Sequence, residues 1–486
     1  MQTQRRSRWL VLLDRIIFYG LIALLALTAV PYGTVHPWSK ALFECAVFLL
    51  AFLWLVHGFI EGSWRIGNTR LLAPMAVLVV LAVVQSLAWW QVDSAGEKVW
   101  FALSSDPFET RVFAFRMAAL VIVTVLFTRF TSTTTRLGIL VHAIIVVALA
   151  SALFGIARQT MQHGQGFVLS RLPFDSGYAQ FINKNHFAFL MEVALGLLIG
   201  VAIMRRRRHQ HLLLYLSAAV LMWAAVVLSR SRGGLLTITV QAIFAGLLFV
   251  YFRRSKTSRM TRSGPLRWAR SIVATTILVG VLLAIVVAGV VWLGGDQLVT
   301  GVETATAEMS GVDVSVVHEG ARRRDIWRAT WLMFKAHPIA GTGLGGFWVQ
   351  APVFHEASGA VTPQQAHNDY LELLASSGIL GAALFIWFAV ALFRQARESV
   401  NVSEGFQRAV TMGAIIGLVG VGVHSIVDFG LHITINALVF VVLLAILSLK
   451  SLAVSNRTEE GGQGRPWQSP ERVGHRDTKT QRVMRS

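Results

Sequence analysis

The feature that most constrains this chain is the recurrence, almost from end to end, of uninterrupted apolar runs about twenty residues long. A helix crossing roughly 30 Å of hydrocarbon at about 1.5 Å per residue needs roughly 20 such residues, and a soluble core has no use for a dozen of them. The runs lie near residues 10–30, 41–60, 71–90, 111–130, 137–157, 184–204, 212–229, 234–252, 271–293, 379–393, 409–427 and 434–452. They predict an all-α polytopic membrane protein of about 12 transmembrane helices, with a large helical loop between spans nine and ten. Composition agrees: 55% of the 486 residues are hydrophobic and 14% are charged, outside the range of soluble domains. The opening MQTQRRSRW imitates a signal peptide, but no small-x-small cleavage site follows before Pro31, so the first run is expected to stay as a helix.

The net charge of +19 would suggest nucleic acid in a soluble protein. Here the cations fall on alternate loops, which is the pattern of a membrane topology and gives no reason to expect a nucleic-acid partner. Arg5, Arg6 and Arg8, Arg65 and Arg70, Arg129 and Arg136, the run Arg205 to Arg208, the cluster from Arg253 to Arg270, Arg394, Arg397 and Arg408, and the tail all fit the cytoplasmic side. Both termini are then cytoplasmic. Five segments are expected: 1–157 with spans one to five, 158–293 with spans six to nine and outward-facing motifs, a large outer loop 294–378, spans ten to twelve in 379–453, and a disordered Gly-, Gln- and Arg-rich tail 454–486. The single cysteine, Cys45, rules out an intrachain disulfide.

The loop of about 85 residues is far longer than an ordinary connection and carries most of the polar motifs. RRDIWRATWLMFK, from Arg323 to Lys335, puts Ile326, Trp327, Thr330, Trp331 and Phe334 on one helical face and ends at His337-Pro338. The following GTGLGGF, Gly341 to Phe347, has the spacing of a dinucleotide loop but no βαβ context, so it reads as a turn whose glycines let backbone pass close to a helix or ligand. AHNDYLELL then brings His367, Asn368, Asp369 and Tyr370 to the start of a helix, with Asp369 as the helix-start residue.

Cations placed outside against the positive-inside rule form the second clue. Arg230 and Arg232 in LSRSRGG, Arg322, Arg323 and Arg324, and Lys184 in FINKNHF all fall on that side, with Asn185 and His186 beside them. Guanidinium groups pair with phosphate oxygens and stabilise a diphosphate leaving group as charge builds on it. No carboxylate cluster of the kind that holds Mg²⁺ on a sugar nucleotide occurs on the outer loops, so no metal or other cofactor is expected. His367 is the leading candidate for a base and His186 the runner-up. His424 and Asp428, four apart on one expected helical face, and His432 a turn later read as packing or hydrogen-bonded support.

At these residues the sequence resembles the O-antigen ligase family of membrane glycosyltransferases. FINKNHFAFLMEVALGLLIG (181–200), LSRSRGGLL (228–236), RRDIWRATWLMFKAHPIAGTGLGGF (323–347) and AHNDYLELLASSGILGAALF (366–385) carry the likeness, with HSIVDFGLHITIN (424–436) as a weaker block. The resemblance implies a metal-independent, inverting transfer of a glycan from undecaprenyl pyrophosphate to a periplasmic acceptor, either a glycan or a lipid A core, at a bacterial inner membrane. It also implies that Arg232 and Arg323 engage the pyrophosphate and that His367 activates or positions the acceptor hydroxyl. Arg323 is flanked here by Arg322 and Arg324, where the family has a small and an apolar residue. An alternative is a transporter using His424, Asp428, Glu192 and Glu44 as an ion path.

Overall fold

The computed structural model describes residues 2–161 except Pro31, Arg65, Asp93 and Ala95, and then 177–204, 209–257, 323–355, 363–450 and 452. The protein is predominantly helical. In chain order it runs α1 (Gln2–Ala29), α2 (Pro37–Glu61), α3 (Leu72–Ser86), a hairpin of β1 (Ala88–Val92) and β2 (Lys98–Ala102), α4 (Pro107–Phe130), α5 (Thr134–Met161), α6 (Lys184–Met204), α7 (His209–Leu228) and α8 (Arg232–Thr257). Then come α9 (Arg323–Ala336), α10 (Phe347–Phe354), α11 (Asp369–Val402), α12 (Gly405–His424), a 3₁₀ turn (Gly430–His432) and α13 (Thr434–Ser448).

Eight helices are long and apolar enough to cross a membrane, and α3, α7 from Leu212 and α13 are shorter apolar helices. These fall on the predicted runs. The expected ninth span 271–293, the arginines 205–208, most of the cluster 253–270, the loop 294–322 and the tail from 453 lie outside the described residues. The hairpin departs from the all-α expectation. AWWQV and KVWFA are aromatic and β-branched stretches that pair antiparallel, Trp90 opposite Trp100, around a turn with Gly96 at φ +82°.

Charged pairs mark one end of the bundle. Arg129 meets Glu61 at 3.1 Å, Arg70 meets Glu398 at 2.7 Å, and Arg136 pairs with Asp14. The polar motifs gather at the other end, where α6, α8 and α11 begin and α12 stops.

Between the two ends, α6 and α12 pack backbone to backbone. Gly196 and Gly200 on one helix face Gly413 and Gly417 on the other, so closely that a Cβ on Gly200 would lie 2.4 Å from the Gly413 nitrogen and one on Gly196 2.5 Å from the Gly417 nitrogen. Small residues four apart permit this approach where no hydrophobic driving force separates helix from lipid. Around the pair lies a continuous core that includes Phe187, Phe189, Met191, Leu197, Val410, Leu438 and Leu443, all buried.

Helix α11 is broken at Gly378, whose φ of +61° and ψ of −154° are non-helical. The break strands two carbonyls and two amides, and the glycine turn after α9 takes up all four. Thr342 N–H donates to the Ala375 carbonyl at 3.0 Å and Gly343 N–H to that of Ser376 at 2.9 Å, while Ile379 and Leu380 donate to the carbonyls of Pro338 and Ile339 at 2.8 and 3.3 Å. Gln85, buried at the end of α3, closes the joint: its Nε2 donates to the Ala340 and Ser376 carbonyls at 2.6 and 3.0 Å, and its Oε1 accepts from Leu344 N–H at 3.2 Å. Gly341 is at φ +69°, and a Cβ there would sit 2.3 Å from the Ser376 carbonyl carbon. The glycines of 341–347 thus serve close approach to a helix, the first of the two uses read from the sequence.

The buried face of α9 is Ile326, Ala329, Thr330 and Met333, and Trp331 is 46% exposed. Ile326 and Thr330 of the expected stripe are buried and Trp327 and Phe334 are half-buried, but the face is turned enough to bring in Ala329 and Met333 and leave Trp331 outside, where the helix packs against Phe347, Ala351, Ala366 and Ala375.

Replacing Gly413 with Leu should push α6 off α12 at a cost on the order of 1–3 kcal/mol. The expected result is a Tm in detergent lowered by several degrees, and a wild-type Tm would show that the contact is not tight.

Candidate functional site

His367 stands immediately before α11, with φ at +50°. A histidine in the left-handed region is held there by its surroundings, and such residues concentrate at functional sites. The next three residues fix the entry into the helix. Asn368, the helix-capping residue, accepts the N–H groups of Tyr370 and Leu371 at 3.1 and 3.0 Å. The sequence points to Asp369 as the helix-start residue; the cap is one residue earlier, and Asp369 instead ties α11 to the end of α12, its N–H on the Ser425 carbonyl at 2.9 Å and its Oδ2 accepting from Ser425 Oγ at 2.7 Å. Tyr370 donates its hydroxyl to the Gly422 carbonyl at 2.7 Å.

From His367 a chain of hydrogen bonds crosses the bundle. Its Nδ1 lies 3.3 Å from Asp428 Oδ1, and Asp428 Oδ2 accepts from Asn185 Nδ2. Asn185 Oδ1 in turn accepts from Ser231 Oγ at 2.7 Å, and that oxygen accepts the Gly234 N–H at 3.1 Å, fixing the first turn of α8. Ser231 stands between Arg230, at φ +55°, and Arg232, the first residue of α8. Four sequence blocks, from α6, α8, α11 and the turn after α12, meet in this one network.

Asp428 is fully buried. Burial opposes its charge, but the hydrogen bond from His367 and the nearby His186 outweigh that and hold the carboxyl well below the usual carboxylate range. A neutral imidazole that gives Nδ1–H to this carboxylate keeps its lone pair on Nε2. Phe429 packs against three imidazoles edge to face, with centroids 4.8 Å from His186, 4.7 Å from His367 and 6.0 Å from His432. His186 is buried against that ring, and its Nε2 has no hydrogen-bond partner.

His424 and Asp428 do not share a helical face. The helix ends at His424, and the chain turns before Asp428, so the two side chains serve different partners. His424 Nδ1 is 2.7 Å from Glu192 Oε1 on α6, and both side chains are almost fully buried. Its ring supports the SRSRG turn from below, since a Cβ on Gly233 would lie 3.2 Å from His424 Nε2.

On the other side of Phe429, His432 Nε2 lies 3.7 Å from Asp369 Oδ1 and 3.4 Å from Glu372 Oε1. Burial, reinforced by Arg116, Lys40 and His186, pulls His432 down to about 3, so it is neutral at physiological pH. The sequence motifs did not single out Glu372, Arg116 or Lys40. Each lies inside or at the mouth of an apolar run, where a charged residue is itself a functional signal.

Of the predicted residues, Asn185, His367 and the turn carrying Arg230 and Arg232 are brought together, with Lys184 and His186 on the same first turn of α6. Asn368 and Tyr370 spend the polar atoms just described on the backbone. Arg322 lies outside the described residues, as do the side chains of Arg323 and Arg324, whose backbone opens α9. Ile326, one turn on, shares a buried cluster with Ala366, the neighbour of His367. Among the described residues no group of three or more His, Cys, Asp or Glu is arranged to hold a metal ion.

Residues 217–386 match the family model described as O-antigen ligase. This stretch is similar to the O-antigen ligase family. Together with the apolar helices, this likeness points to a multi-pass membrane protein with a glycosyltransferase type of activity. No curated protein matches the chain. The O-antigen ligase segment contains Arg230, Arg232 and His367, whereas Asn185 and Asp428, the two links that join them, come from outside it.

Asp428→Asn would keep the shape and remove the charge that orients His367. With His367 as the base expected from the sequence, glycosyl transfer should fall roughly 10- to 100-fold in kcat with KM little changed, because a misdirected base forfeits part of the roughly 10²–10⁴ that general-base catalysis supplies. Wild-type kcat in this variant would detach Asp428 from the reaction.

Proposed function

We propose that this protein transfers a glycan from undecaprenyl pyrophosphate to a hydroxyl-bearing acceptor at the outer face of a bacterial inner membrane, without a metal and with inversion at the anomeric carbon. The observation that carries this reading is the hydrogen-bond chain from His367 through Asp428 and Asn185 to Ser231, which sets an oriented imidazole beside the turn that bears Arg230 and Arg232.

The chemistry comes from the residue types. His367 Nε2 takes the proton of the acceptor hydroxyl as its oxygen bonds to the anomeric carbon. The bond from that carbon to the pyrophosphate oxygen breaks on the opposite face, and the electron pair leaves with undecaprenyl pyrophosphate. Arg232, with Arg323 at the head of α9 and Arg322 or Arg324 beside it, offsets the charge that grows on the leaving group. Lys184, on the first turn of α6, adds a cation at the same end. The polar end of the bundle faces the periplasm in this reading, the paired arginines at the other end face the cytoplasm, and 294–378 is the loop that completes the site. Glu192 and Glu44, which an ion path would need, are instead engaged with His424 and Arg116.

Reconstituted protein supplied with a lipid-linked glycan tests the reading. His367→Ala should lower kcat by about 10²-fold or more, and Arg232→Ala or Arg323→Ala should lower kcat/KM by about 10- to 100-fold, the worth of one or two charge-assisted hydrogen bonds. Unchanged turnover in His367→Ala and Arg323→Ala would remove the mechanism.

A further inference from the structure

The hairpin between α3 and α4 is bare on both faces. Its register sets Trp90 opposite Trp100 and Trp89 opposite Phe101, so each face of the two-stranded sheet carries a pair of large aromatic rings. Trp90 and Trp100 are 59% and 69% exposed on one face, Trp89 and Phe101 48% and 42% on the other. Among the described residues no third strand pairs with either outer edge. Standing in water, a hairpin like this would be an aggregation hazard, because bare apolar area and open strand edges both recruit other chains.

The apolar surface does not begin at the hairpin. It continues from the flank of α3, where Val80, Val84 and Leu87 are exposed, and passes to Leu103 and Phe108 at the start of α4. Helix α4 is long and apolar enough to cross a membrane, and α3 is a shorter apolar helix packed beside it, so this flank is one that lipid covers. A protein partner would cover one face of the sheet, whereas ring pairs on both faces suit a medium that encloses the strands. Tryptophan collects at the boundary between membrane and water, where its ring is buried and its N–H finds an acceptor. Lys98 lies over the Trp90 ring, 4.9 Å from the centroid, and brings an ammonium to the same face. The open edges fix the depth: hydrocarbon does not tolerate unpaired strand edges, but the hydrated headgroup layer does.

We propose that the hairpin is a membrane-interface anchor. It lies among the lipid headgroups of the leaflet at the bundle's polar end, with its four aromatic rings at the top of the acyl chains and Lys98 on lipid phosphate. The anchor holds more than itself. At its base Ser104 N–H donates to the Gln85 carbonyl and Ser105 N–H to the Thr342 carbonyl, both at 2.9 Å, and Gln350 Nε2 of α10 donates to Ser105 Oγ at 2.9 Å. The hairpin is thus tied to the glycine turn that mends α11, and its depth sets the level at which His367 stands relative to the headgroups.

Cys45 is the only cysteine, so Cys45→Ser gives a thiol-free chain in which Trp100→Cys and Phe101→Cys place a spin label on each face in turn. In nanodiscs of phosphatidylethanolamine and phosphatidylglycerol, both labels should collide more often with dissolved oxygen than with a water-soluble nickel chelate. Their ratios should fall between those of lipids spin-labelled on the headgroup and in the middle of the chain. Labels that stand in water, one wet face, or labels on separate copies that broaden each other overturn the proposal. The unaltered protein gives a second reading that no misfolded variant can spoil: a phospholipid with a diazirine at the top of its acyl chain should label residues 88–103 several-fold above a water-soluble diazirine, and equal or reversed labelling overturns the proposal as well. Neither measurement needs turnover, so the outcome is separate from that of the glycosyl-transfer assays.

Discussion

A helix at the rim of a bilayer cannot be interrupted unless something replaces the hydrogen bonds it forfeits, since each unmet backbone group in a water-poor setting costs several kcal/mol. Gly378 interrupts α11 in this way, and the turn from Pro338 to Gly343 returns all four bonds. Much of the architecture at this end of the bundle depends on that repair. The turn has to run against the helix backbone, which is why Gly341 has no side chain. It also has to stay there, which is the work of Gln85 at the end of α3 and of Ser105, whose N–H donates to the Thr342 carbonyl at 2.9 Å. The short helix segment before the break is thereby held at the bundle's polar end with His367 at its tip.

That placement makes one network out of residues more than two hundred positions apart. In the proposed reaction His367 supplies the base; the structure gives it Asp428 as an orienting partner and Asn185 as the link to the serine between two arginines. The carboxylate answers to both sides: the imidazole donates to one oxygen and the amide to the other. A neutral amide at Asn185 is well chosen, because it can donate to Asp428 and accept from Ser231 at once, which neither a lysine nor an aspartate could do.

The sequence made the helices legible because apolar length is a strong local signal, and it exposed the motifs because histidine, arginine and asparagine are conspicuous beside membrane spans. It also carried a signal that went unread: Gly196 and Gly200, with Gly413 and Gly417, have the spacing of close helix contacts. Other features could not be read locally. The period of α9 located a helix, but not the rotation that buries Met333 and leaves Trp331 exposed, since the packing partner decides that. His424 and Asp428 look like one helical face until the helix stops, and nothing within that stretch announces that Glu192 and His367 are their partners. The cluster of Asp369, Glu372 and His432 is assembled from α11 and the 3₁₀ turn.

The glycine seam between α6 and α12 has a mechanical consequence. Asn185 rides on the first of these helices and Asp428 on the chain just beyond the second, and backbones in direct contact cannot slide past one another without collision. That half of the site is a stator. His367 stands at the head of the short helical segment before Gly378, and its neighbour Ala366 shares a buried cluster with α9. The head of α11 is fastened to the same block, by Asp369 on Ser425 and Tyr370 on Gly422, so the imidazole keeps one register with the serine turn whatever the lipid around the bundle does.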